Sequence, residues 1–166
     1  MLGTLAYWQG HGQQGSHHYH RAAALLAKAP PSRAKASVLG ELASWLMVAG
    51  KADEAIRTGR EALVIADDLG LDDMRALALN SLGSARLHSG DVGGLADLER
   101  AVAVAVKVNS PECVRAYINL AACLVDLGDL ARAFKLQAEG RAYWCDCTAE
   151  QVQARAKERG GPPGYD

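Results

Sequence analysis

One glycine returns through this chain at nearly constant spacing and limits what it can fold into. Gly10, Gly50, Gly90 and Gly128 lie 40, 40 and 38 residues apart. Their surroundings are alike: Tyr7-Trp8-Gln9-Gly10, Val48-Ala49-Gly50-Lys51-Ala52-Asp53-Glu54-Ala55, His88-Ser89-Gly90-Asp91 and Asp126-Leu127-Gly128-Asp129-Leu130-Ala131-Arg132-Ala133. A repeat of this length is one supersecondary unit that cannot hide its apolar face alone, so the copies must stack. Glycine followed at once by a polar residue suits a tight antiparallel helical hairpin. It tolerates the left-handed backbone at a helix end, and Asp91 or Asp129 then sits near the positive end of the next helix.

The apolar positions around these glycines have helical spacing. Upstream they are Leu39, Leu42, Ala43 and Leu46; Leu79, Leu82 and Gly83; Tyr117, Leu120, Ala121 and Leu124. Intervals of i, i+3, i+4 and i+7 mark one face of a helix, and alternation of the strand kind is nowhere sustained. Downstream, Ala55, Ala62, Ile65 and Ala66, then Leu95, Leu98 and Val102, then Ala133, Leu136 and Gly140 supply the facing surface of a second helix. With 31 alanines and 21 leucines against a single Phe, the core is built of small side chains, which lets helices approach closely. The expected fold is all-α, a solenoid of stacked helical hairpins.

Breaks occur at Ala29-Pro30-Pro31-Ser32, at 67–73 and at 107–112, where breaker and capping residues gather. They divide residues 1–147 into a partial hairpin (1–29) and repeats at about 33–70, 73–109 and 111–146, with Ser32 as the expected N-cap of the first full repeat. Thr148-Ala149-Glu150-Gln151 has capping-box spacing, so 148–166 reads as a polar capping helix or a frayed tail.

This pattern resembles the tetratricopeptide repeat (TPR) family over residues 1 to about 143. Ala78-Leu79-Asn80-Ser81-Leu82-Gly83, Ala116-Tyr117-Ile118-Asn119-Leu120-Ala121 and the Gly128-Asp129-Leu130-Ala131-Arg132-Ala133 turn carry the resemblance. The period exceeds the usual 34 residues, and long loops between repeats are the expected reason. The longer period is similar to that of TPR arrays in multidomain signalling ATPases and LuxR-type transcription regulators. Three positions depart from the family pattern: Arg86 stands at a usually apolar place, Gly93-Gly94 weakens a helix start, and Gly59 replaces a larger packing residue.

The resemblance implies a right-handed superhelix whose first helices line a concave groove. Ser37, Gly40, Ser44 and Met47, then Asn80, Ser84, Leu87 and His88, then Arg115, Ile118, Ala122 and Asp126 lie one step off the core face and are the candidate lining. Such a surface suits a helix or an extended peptide held by apolar anchors and a few hydrogen bonds. The implied function is a non-catalytic protein- or peptide-binding scaffold, a sensory or assembly segment of a bacterial signalling or transcription regulator. The Lys and Asn set of carboxylate-clamping TPRs is missing, since Gly40 and Ser44 stand there.

Other chemistries find little footing. The net charge of −1 gives no basic footprint for nucleic acid or an anionic membrane, and the longest apolar runs, such as 101–106, fall far short of the roughly 20 residues of a span. The first residues lack the features of an export signal, so the cytoplasm is the expected compartment, with reduced cysteines. No phosphate loop, nucleophile elbow or H-E-x-x-H is present. The competing reading is a small enzyme or ligand-binding protein that uses His88, Asp126 and Arg115 as groove acid-base groups. His11, His17, His18 and His20 suggest a metal by spacing alone, and amphipathic helix pattern explains them better. Cys145-Asp146-Cys147 is C-x-C without a second paired element; no cofactor is expected. The open ends of the array, around Leu2, Leu5 and Trp8 at the first, are candidates for pairing with a second copy.

Overall fold

The computed structural model describes residues 12–141. Seven helices follow one another: α1 (Gly12–Leu26), α2 (Arg33–Val48), α3 (Ala52–Asp68), α4 (Asp72–His88), α5 (Gly94–Lys107), α6 (Glu112–Asp126) and α7 (Leu130–Ala138). No strand occurs among the described residues. Each helix packs on its successor, and the first helices of the three hairpins, α2, α4 and α6, also pack side by side. The chain is an α-solenoid.

Local chemistry accounts for the boundaries. Ser32 caps α2 by accepting a hydrogen bond from the Lys35 amide at 3.3 Å, as its side chain is suited to do. Asp129 caps α7 in the same way, accepting from Arg132 N at 3.2 Å. Gly50, Gly90 and Gly128 end their helices with φ of +74°, +88° and +76°. The next amide closes each end: Lys51 N donates to Leu46 O, Asp91 N to Arg86 O and Asp129 N to Leu124 O, all at 2.8 to 2.9 Å. These are the six-to-one bonds of a Schellman end. Gly10 lies outside the described residues.

The stretches expected as long loops are mostly helix. α3 runs through Asp68 and α4 begins at Asp72; α5 runs to Lys107 and α6 begins at Glu112. Only three or four residues join consecutive hairpins, and the extra period length goes into helices of 14 to 17 residues. The cause is a second left-handed residue in each repeat, Gly70 at +63° and Asn109 at +50°, which turns the chain without a loop. Asp72 and Asp73 then fall in the first turn of α4, where negative charge complements the helix dipole. Arg75 pairs with Asp72 and, at 2.5 Å, with Asp67. A cluster of acids that reads as a solvated loop is thus a pair of helix ends tied together.

The core is as lean as the composition implies. Ala55, Ala62, Ala66, Ala76, Ala78, Ala85, Ala101, Ala105 and Ala116 are fully buried, and glycines bring the helices closer still. A Cβ on Gly83 would lie 2.7 Å from the Gly94 carbonyl oxygen and 3.0 Å from Leu98 N. Gly94 therefore starts α5 at a point where two backbones meet, which explains the glycines at a helix start. Gly59 similarly lets α3 lie against Leu82, whose Cβ is 3.3 Å from the position a Cβ would take. Arg86, at its usually apolar place, donates from Nε to Asp91 at 2.8 Å and pairs with the buried Asp97; both carboxylates hold its pKa above the ordinary value, Asp91 first. At the first hairpin Lys35 donates to the carbonyls of Ala27 and Ala29 at 3.2 and 3.3 Å, fastening the turn between α1 and α2.

Candidate partner-binding face

The three parallel first helices carry a seam of polar side chains between them. On the α2–α4 side the Ser44 and Ser81 hydroxyls share a hydrogen bond of 2.7 Å. On the α4–α6 side Asn119 Nδ2 donates to Asn80 Oδ1 at 3.0 Å. Spanning both, Arg115 of α6 reaches Glu41 of α2 at 3.4 Å and pairs with Glu112 at 2.6 Å. Burial works against the Arg115 charge, and the Glu41 and Glu112 carboxylates more than offset it, so its pKa stays above the ordinary arginine value. An ion pair from the first to the third of these helices crosses over the one between them.

The consequence is visible on α4. Its ten residues from Ala76 to Ala85 are all buried. Gly40, Asn80 and Ser84, placed by the sequence on the groove wall, are enclosed where neighbouring helices meet. A Cβ on Gly40 would lie 2.8 Å from Leu77 Cγ, and Asn80 and Ser84 are 0% and 2% exposed. Their Nδ2 and Oγ have no hydrogen-bond partner among the described residues. Ser37, Ser44, Met47, Leu87 and Arg115 are half-buried, while His88, Ile118, Ala122 and Asp126 are exposed. The open part of the face is therefore its rim. One edge runs along the helix C-termini, with Met47, Val48, Leu87, His88 and Asp126; the other surface is the outer flank of α6, with Val114 and Ile118.

Acid-base groups are not assembled there. Arg115 and Asp126 stand eleven residues apart on α6, about 16 Å along the axis. Arg115 is engaged by two carboxylates, and His88 Nδ1 lies 2.8 Å from the Ser84 carbonyl oxygen. His17, His18 and His20 are exposed on α1, and among the described residues no three His, Cys, Asp or Glu side chains converge on a metal-sized site. Cys123 is a free thiol packed with Leu98, Leu120 and Leu124; burial first, and Asp126 second, push its pKa up. Trp45 packs beside the core, its ring 6.4 Å from that of Tyr19. His11, Cys145 and Cys147 lie outside the described residues.

Sequence reasoning missed Glu41, Ser81 and Asn119, which supply the bonds of the seam. The signal was present. They form one polar column at spacings of 40 and 38, beside the column of Gly40, Asn80 and Ile118.

The fold matches solved TPR-like arrays. A kinesin light chain homologue with nearly identical TPR-like repeats from Podosopora anserina superimposes with a TM-score of 0.64 at 18% identity, over 96% of this chain and 86% of that one. BtubC (BKLC) from P. vanneervenii gives a TM-score of 0.63 at 22% identity, over 89% of this chain and 65% of that one. No family model matches the sequence, and no curated protein matches it. No helix of the described residues is long and apolar enough to cross a membrane.

Proposed function

We propose that this chain is a non-catalytic TPR-like scaffold whose partner is a protein segment, bound along the open rim of the α2–α4–α6 face rather than on its centre. The observation that carries this reading is the closure of α4: ten consecutive buried residues beneath the Glu41–Arg115 pair. A ligand meets Met47, Val48, Leu87 and Ile118 as apolar contacts and His88 and Asp126 as polar ones, a composition suited to a helix or an extended peptide. The narrower reading, a sensory or assembly segment of a bacterial signalling or transcription regulator in the cytoplasm and without nucleic-acid contact of its own, rests on the long repeat period and the net charge of −1.

Selection from a displayed peptide library against the full chain tests the proposal. Binders should lose about thirtyfold or more in affinity, the size of a hot-spot truncation, when Leu87→Arg or Ile118→Arg is introduced. Val64→Arg, on the outer helix α3, should leave them unchanged. Binders indifferent to both rim substitutions would reject the face.

A further inference from the structure

Charge on the three first helices is balanced within the protein at all places but one. Arg33 pairs with Asp73, Lys35 with Glu61, Arg75 with Asp67 and Asp72, Arg86 with Asp91 and Asp97, and Arg115 with Glu41 and Glu112. Those pairs take up every Lys and Arg of α2, α4 and α6, and every Asp and Glu of these helices except Asp126. The Asp126 carboxylate, exposed at the end of α6, forms no ion pair or hydrogen bond among the described residues. The fold gives it no other reason to be there. A carboxylate in the last turn of a helix meets the negative end of the dipole, and α6 has no basic residue in that turn to offset it. Asp129, three residues on, caps α7 and pairs with Arg132; Asp126 does neither.

His88 holds the same place on α4 as Asp126 on α6, two residues before the turn glycine. Its Nδ1 lies 2.8 Å from the Ser84 carbonyl oxygen. A carbonyl oxygen only accepts, so this contact assigns the proton to Nδ1 and leaves Nε2 of the neutral ring as an acceptor. Both polar groups of the rim therefore ask for donors. The apolar Met47, Val48 and Leu87 share their edge.

On the premise that the rim holds a protein segment, we propose that this segment is cationic: a Lys or Arg within it pairs with Asp126, and an apolar residue beside it seats on Leu87. Neighbouring packed helices lie about 8–10 Å apart. Residues about six apart on a bound helix, or about three apart on an extended chain, span that distance and reach both α4 and α6. An acidic segment is repelled at this edge by the Asp126 carboxylate and by the helix end it stands on.

Peptides selected from a displayed library on the full chain, and sorted by their loss of affinity to Leu87→Arg, are the probe. Those rim binders should carry Lys or Arg above the library frequency. They should lose about threefold in affinity to Asp126→Asn and about tenfold to Asp126→Lys, the range of an exposed ion pair and of its reversal, and bind Asp68→Asn, on α3, as they bind the parent. Glu in place of the peptide's own Lys or Arg should restore binding to Asp126→Lys. The melting temperature of Asp126→Asn should equal or exceed that of the parent, because the change removes a charge opposed to the helix dipole. Rim binders indifferent to both Asp126 substitutions would keep the rim and overturn its cationic partner, as would rim binders without Lys or Arg. A lower melting temperature for Asp126→Asn would also overturn it, by giving the carboxylate a structural role. A pool in which no binder responds to Leu87→Arg or to Ile118→Arg overturns the rim itself and this inference with it.

Discussion

Alanine at three of the packed glycines, Gly59, Gly40 and Gly83, should give three different signs or sizes, because the structure assigns each a different obstacle. In a helix interior Gly→Ala gains about 1 kcal/mol from backbone propensity alone. At Gly59 the new methyl meets Leu82 Cβ at 3.3 Å and Cα at 3.4 Å, a contact that a shift of a few tenths of an ångström relieves; the net effect is a gain of up to about 1 kcal/mol. At Gly40 the obstacle is the Leu77 side chain, Cγ at 2.8 Å and Cδ2 at 3.0 Å; Leu77 is buried and turns at some cost, so gain and loss nearly cancel. At Gly83 the obstacles are a carbonyl oxygen at 2.7 Å and a backbone nitrogen at 3.0 Å, and neither can rotate away. α4 and α5 must separate, an overpacking cost at the upper end of the usual range, about 3 kcal/mol. Less the propensity gain, Gly83→Ala loses about 2 kcal/mol. For a chain of this size that lowers the melting temperature by roughly 4–8 °C, whereas Gly59→Ala raises it slightly. Thermal unfolding followed by circular dichroism at matched concentration reads the series. If Gly83→Ala melts at or above the parent temperature, the two backbones do not meet as described and the reasoning fails.

The polar seam gives a paired prediction. Ser81→Ala breaks the bond to Ser44 and should cost about 1 kcal/mol, while Ser84→Ala removes a buried hydroxyl that has no partner and should be neutral or stabilising by about 1 kcal/mol in urea titrations; equal losses would contradict the asymmetry. Arg33 bonds Asp73 at 2.5 and 3.0 Å, and that hydrogen bond foremost holds the Asp73 carboxyl below its usual range. A depressed folded-state pKa contributes stability above the unfolded value of about 3.9 and loses it as pH falls through the folded value. Arg33→Gln should therefore be less stable than the parent at pH 7, with the gap closing below about pH 4; a gap that is constant with pH would show that the pair contributes through packing. Asn109→Gly should raise stability by a few tenths to about 1 kcal/mol, since Asn109 holds φ +50° where glycine is free of steric cost, and unchanged denaturation midpoints would refute that strain.

The parts of the fold legible in the sequence were those set by one residue type at one position. Gly50, Gly90 and Gly128 announce the turns because few other residues accept a left-handed helix end, and Ser32 announces its cap because its hydroxyl reaches the amide three residues on. The helix ends near 68 and 107 were illegible for a related reason. Acidic pairs such as Asp67-Asp68 and Asp72-Asp73 look alike in a loop or in two abutting helix termini, and only the Arg75 bonds tell them apart. Asn109 in place of a glycine also hid the second left-handed turn of its repeat. Arg86 and Gly94 read as departures from a pattern, yet each answers the other: with no side chain at 93 or 94, the guanidinium has room to lie against the start of α5 and reach Asp91 and Asp97.

The candidate site was legible by column but not by exposure, and the difference follows from side-chain size. Tetratricopeptide-like stacking leaves a groove only where first helices keep their distance. Here the facing columns hold Gly40, Ser44, Asn80 and Ser84, small enough for α2, α4 and α6 to close on one another, and the buried polar atoms they bring are bonded within the seam or left unpaired. A seam so built gives up some stability at Asn80 and Ser84, about 1–3 kcal/mol for each unpaired buried group. Replacing Asn80 by leucine would relieve that cost but would also remove the bond from Asn119 and push a branched side chain against α6. The polar pair therefore fixes the register of α6 on α4, and α6 in turn presents Ile118 and Ala122 outward. Partner recognition at the rim thus depends on residues that no partner touches: loosening the seam should weaken binding there even where the rim itself is unaltered.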